Sequence, residues 1–394
     1  MGRRLFFLLL WMAFLTLPRC VSAQGSVPET IDVRLFTPDE VLSVQVIPME
    51  GAYVILDSNG FPLLQLPAGQ EARFTALGGH VEVAVADTLF YVQDGILLQG
   101  RKFQNYFNIR PLGYAGRSRT YDDHLLVRAT EGSLQLVNRV AFESYIAGVV
   151  QAESGYLRHP EYYQVQAMIA RTYAMRVFQR HAAEGFNVCD QVHCQAYYGR
   201  SEYPAIVQAV VRTRGEVVVD ENSRLIEAVY HANCGGETVN SEDLWPQAVP
   251  YLRSVHDPHC GNMPGARWQA GIPQDSFFDY LETAFGLRAT PAQKQQILRF
   301  AQNSRLHHLD SGGIIHLRHI RSQFSLRSTF FSFSQQDDQI IFSGRGYGHG
   351  VGLCQEGAMR MAEKGYSRDA ILRFYYQGVS IIDLDVMFPP MNNW

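Results

Sequence analysis

The chain lacks any excess of positive charge. Over 394 residues, 34 Lys and Arg stand against 38 Asp and Glu, a formal net charge of −4. It therefore has no basic field of the kind that draws nucleic acid or anionic membranes. After the first twenty residues no apolar run is long enough to span a bilayer. No internal repeat and no low-complexity linker divides the chain. No Lys-Ser or Lys-Thr follows its glycine run, which excludes a phosphate-binding P-loop. No G-x-S-x-G marks a serine hydrolase. Cysteine is sparse, at six. What remains is ordinary globular composition, 46% hydrophobic and 18% charged, with 20 Tyr and 23 Phe. The length implies two or three structural units.

The first residues carry compartment information. Arg3 and Arg4 precede an apolar stretch at 5–17, and the small residues Val21, Ser22 and Ala23 follow. This order is that of a secretory signal peptide cleaved after Ala23. A membrane anchor is the alternative, but the stretch is short for one. Cys20 does not make a lipoprotein signal, because Arg19 breaks the small-residue pattern. Cleavage leaves Cys189, Cys194, Cys234, Cys260 and Cys354 in an oxidising exterior, where pairs can bridge and one is left over.

Residues 24–117 read as a small antiparallel β unit. IDVRLFT, LSVQVIP, AYVILDS, HVEVAVA and TLFYVQD alternate apolar and polar residues and are parted by turn signals. LLVRAT and LQLVNRV form a hairpin into the region 118–394. There Phe142, Tyr145, Ile146, Val149 and Val150 have helical spacing, Gly155 closes the helix, and Glu153 falls at its C-terminal end. A second helix runs over 160–181, with Val165, Met168, Ile169, Thr172 and Met175 inward. Strands are expected from residue 205, at GEVVVD and LIEAVYHAN. Helices follow within 275–304, then strands at IIHLRHI, TFFSFSQ and QIIFSG, and helices at 355–364 and 367–376.

Several residues have chemistry to offer. A carboxyl at a helix C-terminus meets the negative dipole end, so the neutral form of Glu153 is favoured. Burial would raise its pKa further, and a neutral carboxylic acid is what protonates a glycosidic oxygen. A solvated surface glutamate is the plain alternative. Cys189 and Cys194, with His181 and His193 beside them, fit either zinc or a disulfide. Cys234 and Cys260 fit a disulfide stapling a long loop, or two unrelated thiols. Tyr251 and Arg253, between them, could meet a polar ligand or pack locally.

GRGYGHGVGLCQEGA, residues 344–358, places glycine at every second position from 344 to 352. If extended, Arg345, Tyr347 and His349 share one face, and the bare face admits another backbone or a sugar chain. A helix is expected to begin near Gln355.

These segments together resemble the SpoIID/LytB family, the stage II sporulation protein D and amidase-enhancer proteins of bacterial cell walls. VNRVAFESYIAGVVQAES, QVQAMIARTYAM, CDQVHCQAYYG, VRTRGEVVV, YHANCGGETVNSEDLW, PYLRSV, LRSTFFSF and the terminal GRGYGHGVGLCQEGAMRMAEKGYSRDAILRFYYQGV occur in the family's order. They cover about residues 120 to 380 and leave 24–117 unmatched.

The resemblance implies an α+β fold, mainly antiparallel β with several helices. It implies peptidoglycan chemistry outside the cytoplasm, in the periplasm or cell wall, with Glu153 as acid and base of a lytic transglycosylase. In such a reaction the C6 hydroxyl of N-acetylmuramic acid attacks C1 and leaves a 1,6-anhydro end, so a single carboxyl suffices. It also implies substrate roles for Arg171, Tyr251, Arg253, Tyr347 and His349. It implies a zinc ion held by Cys189, Cys194 and an imidazole, His181 first and His193 as alternative. The expected partners are glycan strands and an N-acetylmuramoyl-L-alanine amidase, with no nucleic acid. The readings beside the transglycosylase are a non-catalytic amidase enhancer and, more distantly, a zinc hydrolase.

Overall fold

A computed structural model of the chain describes residues 27–387 apart from 103, 114–116, 131 and 311. The expected leader, 1–23, lies outside the described residues. The remainder is α+β with mainly antiparallel sheets, as expected.

The first half is strand after strand: β1 (Thr30–Arg34), β2 (Ser43–Glu50), β3 (Ala52–Asp57), β4 (Pro62–Pro67), β5 (Ala72–Leu77), β6 (His80–Val85), β7 (Thr88–Gln93), β8 (Ile96–Gly100), β9 (Tyr106–Leu112), β10 (Arg119–Asp122), β11 (His124–Ala129) and β12 (Leu134–Ala141). Their period-two pattern sends Val44 and Val46, Phe74, Val81 and Val83, and Leu125 and Val127 inward. They build a six-stranded sheet, β10-β9-β2-β5-β6-β7. They also build a seven-stranded one, β13-β1-β12-β11-β8-β3-β4, in which β13 (Val188–Cys189) runs parallel to β1. β11 lies against β5 and β6, so the two sheets share one apolar layer. The expected boundary after residue 117 falls inside the β9–β10 hairpin. Strands from both sides of it pair in both sheets.

β12 runs directly into α1 (Phe142–Ser154). Phe142, Tyr145, Ile146, Val149 and Val150 are all buried, as their spacing requires, and Gly155 ends the helix at φ 66°. α2 (Pro160–Arg176) starts with proline in its first turn, where the missing N–H has no helical partner to lose. It is apolar or satisfied on nearly every side, because α1, α3 (Pro204–Arg212) and β14 (Glu216–Val219) all pack on it. β14 pairs with β20 (Ser380–Asp383). Residues 204–212 are thus a helix where strand was expected. Pro204 starts it, and Ile206, Ala209 and Val210 bury one helical face.

A second, smaller core is built by β16 (Arg267–Pro273), β17 (Phe331–Gln336) and β18 (Gln339–Arg345), with α4 (Gln274–Phe285), α5 (Pro291–Ile297) and α6 (Leu317–Gln323). Phe277, Phe331, Phe333 and Phe342 meet edge to face inside it. IIHLRHI, expected as strand, becomes the start of α6, whose N-cap His316 accepts from Arg318 N–H through Nδ1. The chain then returns to the main core. β15 (Tyr230–His231) pairs in parallel with β19 (Leu353–Cys354), and α7 (Gln355–Glu363) and α8 (Arg368–Tyr375) close the fold.

Candidate functional site

Glu153 sits in the last turn of α1, partly screened from solvent. Its Oε1 accepts from the Ala196 N–H at 3.2 Å, and its carboxyl also accepts from the Tyr230 hydroxyl. Burial pushes its pKa up, the Ala196 and Tyr230 donors pull it back, and burial wins. Tyr145 and Tyr162, both buried, stand close enough for its charge to oppose their ionisation. The surroundings are aromatic, with two hydrogen-bond donors aimed at one carboxyl. Such a group stays protonated above the ordinary carboxylate range and can still be steadied once it ionises.

Tyr230 is the residue that sequence reasoning passed over. Its segment was matched, but a tyrosine gives no signal until its hydroxyl is seen at Glu153. Behind it stands His349. The Nε2–H of His349 donates to the Tyr230 carbonyl at 3.0 Å, and its Nδ1 accepts from Val351 N–H at 3.0 Å. Burial lowers the pKa of His349 to about 4, so the ring is neutral and both nitrogens are used. The expected substrate contact by His349 is therefore corrected. The ring faces inward, against His231 and Trp245, and its link to Glu153 runs through Tyr230.

The glycines explain this arrangement. Gly346, Gly348, Gly350 and Gly352 all have positive φ, so the run is not a flat strand presenting one face. A Cβ on Gly352 would lie 2.2 Å from the Val229 carbonyl oxygen, and one on Gly346 would lie 2.7 Å from that of Asn233. What approaches the bare backbone is another part of this chain, residues 229–239, bridged at Asn233–Tyr347 and Val239–Val351. The side chains consequently diverge. Arg345 lies over the Phe330 ring at 3.7 Å and donates to the Gln302 and Asn303 carbonyls. Tyr347 stays half exposed beside Arg327 and remains free to meet a ligand.

Two further substrate roles do not fit. Arg171 is wholly buried. Its guanidinium grips Glu143 at 2.9 and 2.6 Å and donates to the Glu216 and Val210 carbonyls. With its donors occupied inside the core, Arg171 ties α2 to α1, α3 and β14 instead of meeting glycan. Arg253 bonds to Glu242 and to the Val249 carbonyl, so its fork is taken as well. Tyr251 is nearly buried, with its hydroxyl accepting from Glu227 N–H at 2.8 Å, and its ring edges the largest cleft.

That cleft has a volume of about 940 Å³ and is walled by Arg176, Arg180, Asp220, Glu227 and Tyr251. Glu153 is not among its walls. Asp220 is partly buried, which raises its pKa, but N–H donors from Arg224 and Asn222 and the Arg224 side chain hold it below the ordinary carboxylate range. A carboxyl held ionised cannot supply a proton, so the acid chemistry is assigned to Glu153 and not to this cleft.

His181, Cys189, His193 and Cys194 converge. One donor atom from each lies within 4.8 Å of the others. Both histidines join the thiols, where one was expected. The His181 Nε2 is 3.6 Å from Cys194 Sγ, and the His193 Nδ1 is 3.8 and 3.7 Å from the two sulfurs. Glu184 holds the other nitrogen of His181, as carboxylates behind metal-bound imidazoles do. A two-thiolate, two-imidazole set fits tetrahedral zinc and leaves no position for a reacting water. Ala196, which donates to Glu153, is two residues beyond Cys194.

The comparisons agree with this architecture. The family model described as SpoIID, stage II sporulation protein, matches residues 130–219, which include Glu153 and this four-residue cluster. Stage II sporulation protein D of Bacillus subtilis is 30% identical over 273 residues, covering 64% of this chain and 77% of that protein. An uncharacterized protein of Brachyspira hyodysenteriae is 31% identical over 301 residues, covering 75% and 76%. The amidase enhancer of Bacillus subtilis is 26% identical over 274 residues, 56% of this chain and 39% of its own length. With most of stage II sporulation protein D aligned, and the ordered segments folded around one glutamate, the chain belongs to the SpoIID/LytB family of cell-wall-related proteins.

Proposed function

We propose that the protein is an exported lytic transglycosylase that cleaves peptidoglycan glycan strands between N-acetylmuramic acid and N-acetylglucosamine. The observation that carries this is Glu153: one carboxyl, its pKa raised by burial, with donors from Ala196 and Tyr230 and no second carboxylate among the groups that set its protonation. Hydrolysis by either common route uses a pair of carboxylates. Intramolecular attack uses one. Glu153 as acid protonates the glycosidic oxygen, and the leaving N-acetylglucosamine departs. Glu153 as base then takes the C6 hydroxyl proton as that oxygen closes on C1. The bond lost and the bond gained are both C1–O, and the proton returns to Glu153. Tyr230 and Ala196 steady the carboxylate between the two transfers, and His349 fixes Tyr230.

Zinc on His181, Cys189, His193 and Cys194 would order the loop that carries Ala196, with no part in bond cleavage. Tyr347 and Tyr251 supply exposed or cleft-edge aromatic surface for sugar faces. The test is product analysis by mass spectrometry after incubation with denuded glycan strands. Anhydro-muramic ends are expected with the wild type and not with Glu153→Gln. Reducing ends alone would refute the reading.

The name amidase enhancer, borne by one relative, favours a second reading: a peptidoglycan-binding protein that stimulates a separate amidase. On that reading Glu153→Gln leaves the stimulation intact and the wild type makes no anhydro ends.

A further inference from the structure

Three cysteines and one aspartate play no part in the chemistry above. Cys234, Asp257, Cys260 and Cys354 come from three separate stretches of chain and are all essentially buried. One donor atom from each lies within 4.8 Å of the others. The Cys234 sulfur is 3.3 Å from the Cys260 sulfur and 3.3 Å from Asp257 Oδ2. Thiolates about 2.3 Å from a tetrahedral zinc stand roughly 3.8 Å apart, so a small adjustment would seat the ion.

We propose that these four residues form a second zinc site, structural in role, that clamps the glycine-rich run and α7 to the 229–239 segment. Three independent features favour thiolates there. The Cys354 sulfur receives the Cys234 N–H at 3.2 Å and the Gly357 N–H at 3.4 Å, the latter because Cys354 is the N-cap of α7. The Gly235 and Gly236 N–H groups are directed at the Cys260 sulfur. Backbone donors aimed at sulfur favour its anionic form.

Arg305 is the second feature. Its guanidinium donates to the Glu237 carbonyl at 2.7 Å, to the Cys234 carbonyl, and to Thr329 Oγ1 at 3.4 Å. All three acceptors are neutral, and among the described residues no carboxylate pairs with this guanidinium. A buried cation needs an anion nearby. Three thiolates and a carboxylate around one divalent ion carry the excess negative charge that Arg305 would offset. The third feature is the aspartate. Its Oδ2 accepts from the Tyr375 hydroxyl at 2.9 Å and its Oδ1 from His259 N–H at 2.8 Å, the outer bonds that orient a ligating carboxylate.

The competing arrangement is a Cys234–Cys260 disulfide. It would leave the Cys354 sulfur receiving two N–H donors as a neutral thiol and Arg305 without a counter-charge. Binding zinc releases the three thiol protons to water and changes no oxidation state.

Metal content of the full chain decides the matter. It is measured by plasma mass spectrometry on wild type, Cys354→Ser and Cys189→Ser/Cys194→Ser, all purified without chelator. Cys354→Ser should hold one zinc per chain fewer than wild type, whatever the other cluster holds. Because Cys354→Ser could misfold, Asp257→Asn is run beside it, with circular dichroism to confirm the fold. In addition, cobalt(II) is added to the Cys189→Ser/Cys194→Ser protein. Thiolate-to-metal charge-transfer absorption is expected there, and adding Asp257→Asn should alter it. Unchanged zinc in folded Cys354→Ser and Asp257→Asn would overturn the proposal. So would iron in place of zinc, no cobalt absorption, or a Cys234–Cys260 disulfide in the intact mass of the unreduced wild type.

Discussion

At Glu153 the decisive quantity is where the carboxyl holds its proton. Burial raises its pKa, and the Ala196 and Tyr230 donors, which favour the ionised form, offset only part of that. Cleavage begins from the protonated form, so the rate should fall as pH rises through this raised pKa. Tyr230→Phe removes a donor to the carboxylate and should move that falling limb to higher pH. A limb that stays put or moves down would show that Tyr230 does not act on Glu153. The linkage to stability has a definite sign. A carboxyl whose folded pKa is raised contributes stability below its unfolded pKa and loses it as pH rises through the folded value. Glu153→Gln should therefore lose about 10²-fold or more in cleavage while unfolding at neutral pH no more easily than wild type. Arg171 belongs to the opposite class. Arg171→Met, leaving Glu143 unpaired, should cost about 3 kcal/mol in urea unfolding. Arg171→Lys should recover little of it, because an ammonium cannot reproduce the two-pronged contact. Glu153 was legible in the sequence, since helical spacing placed it in a last turn. Arg171 was not, because its burial depends on Glu143, 28 positions earlier, and on carbonyls of α3 and β14.

At the scale of elements, the strands of the first half were legible because alternation is a local signal that a half-buried strand must carry. β4, β5, β8, β9 and β10 were not singled out. α3 and α6 were misread because short apolar stretches fit either period, and only packing partners settle them. Ala209 and Val210 became helical against α2, and Leu317 and Ile320 became helical against the phenylalanine core. The glycine run was legible as a place of close approach, but not as to what approaches. Each left-handed glycine turns the chain so that its backbone can lie on residues 229–239, and this sets His349 behind Tyr230. Gly352→Ala puts a methyl 2.2 Å from a carbonyl oxygen at φ 71°. It should destabilise by about 2 kcal/mol or more. The check is a lowered melting temperature together with reduced cleavage, since the same strand pair holds both the core and Tyr230.

At the scale of the whole molecule, the β-rich first half and the helices behind Glu153 are not two separable bodies. β1 pairs with β12 and β13, Asp32 grips Arg139 at 2.8 Å, and buried Asp190 accepts from Phe36 N–H, Thr37 N–H and Arg119. A chain of residues 118–394 alone would lose β1, the strand between β12 and β13. It should lack a cooperative unfolding transition, whereas full-length protein should show one. A folded, sharply melting 118–394 would contradict this. The sandwich thus acts as the wall against which α1 is set, and through α1 it fixes the height of Glu153 above the tyrosines. The central claim is that this single acid drives attack by the sugar's own hydroxyl and not by water. The most direct measurement is cleavage of denuded glycan strands in water enriched in heavy oxygen, with products weighed by mass spectrometry. Anhydro ends free of the label, absent with Glu153→Gln, are the expected result. Labelled reducing ends from the wild type, or anhydro ends that persist with Glu153→Gln, would contradict it.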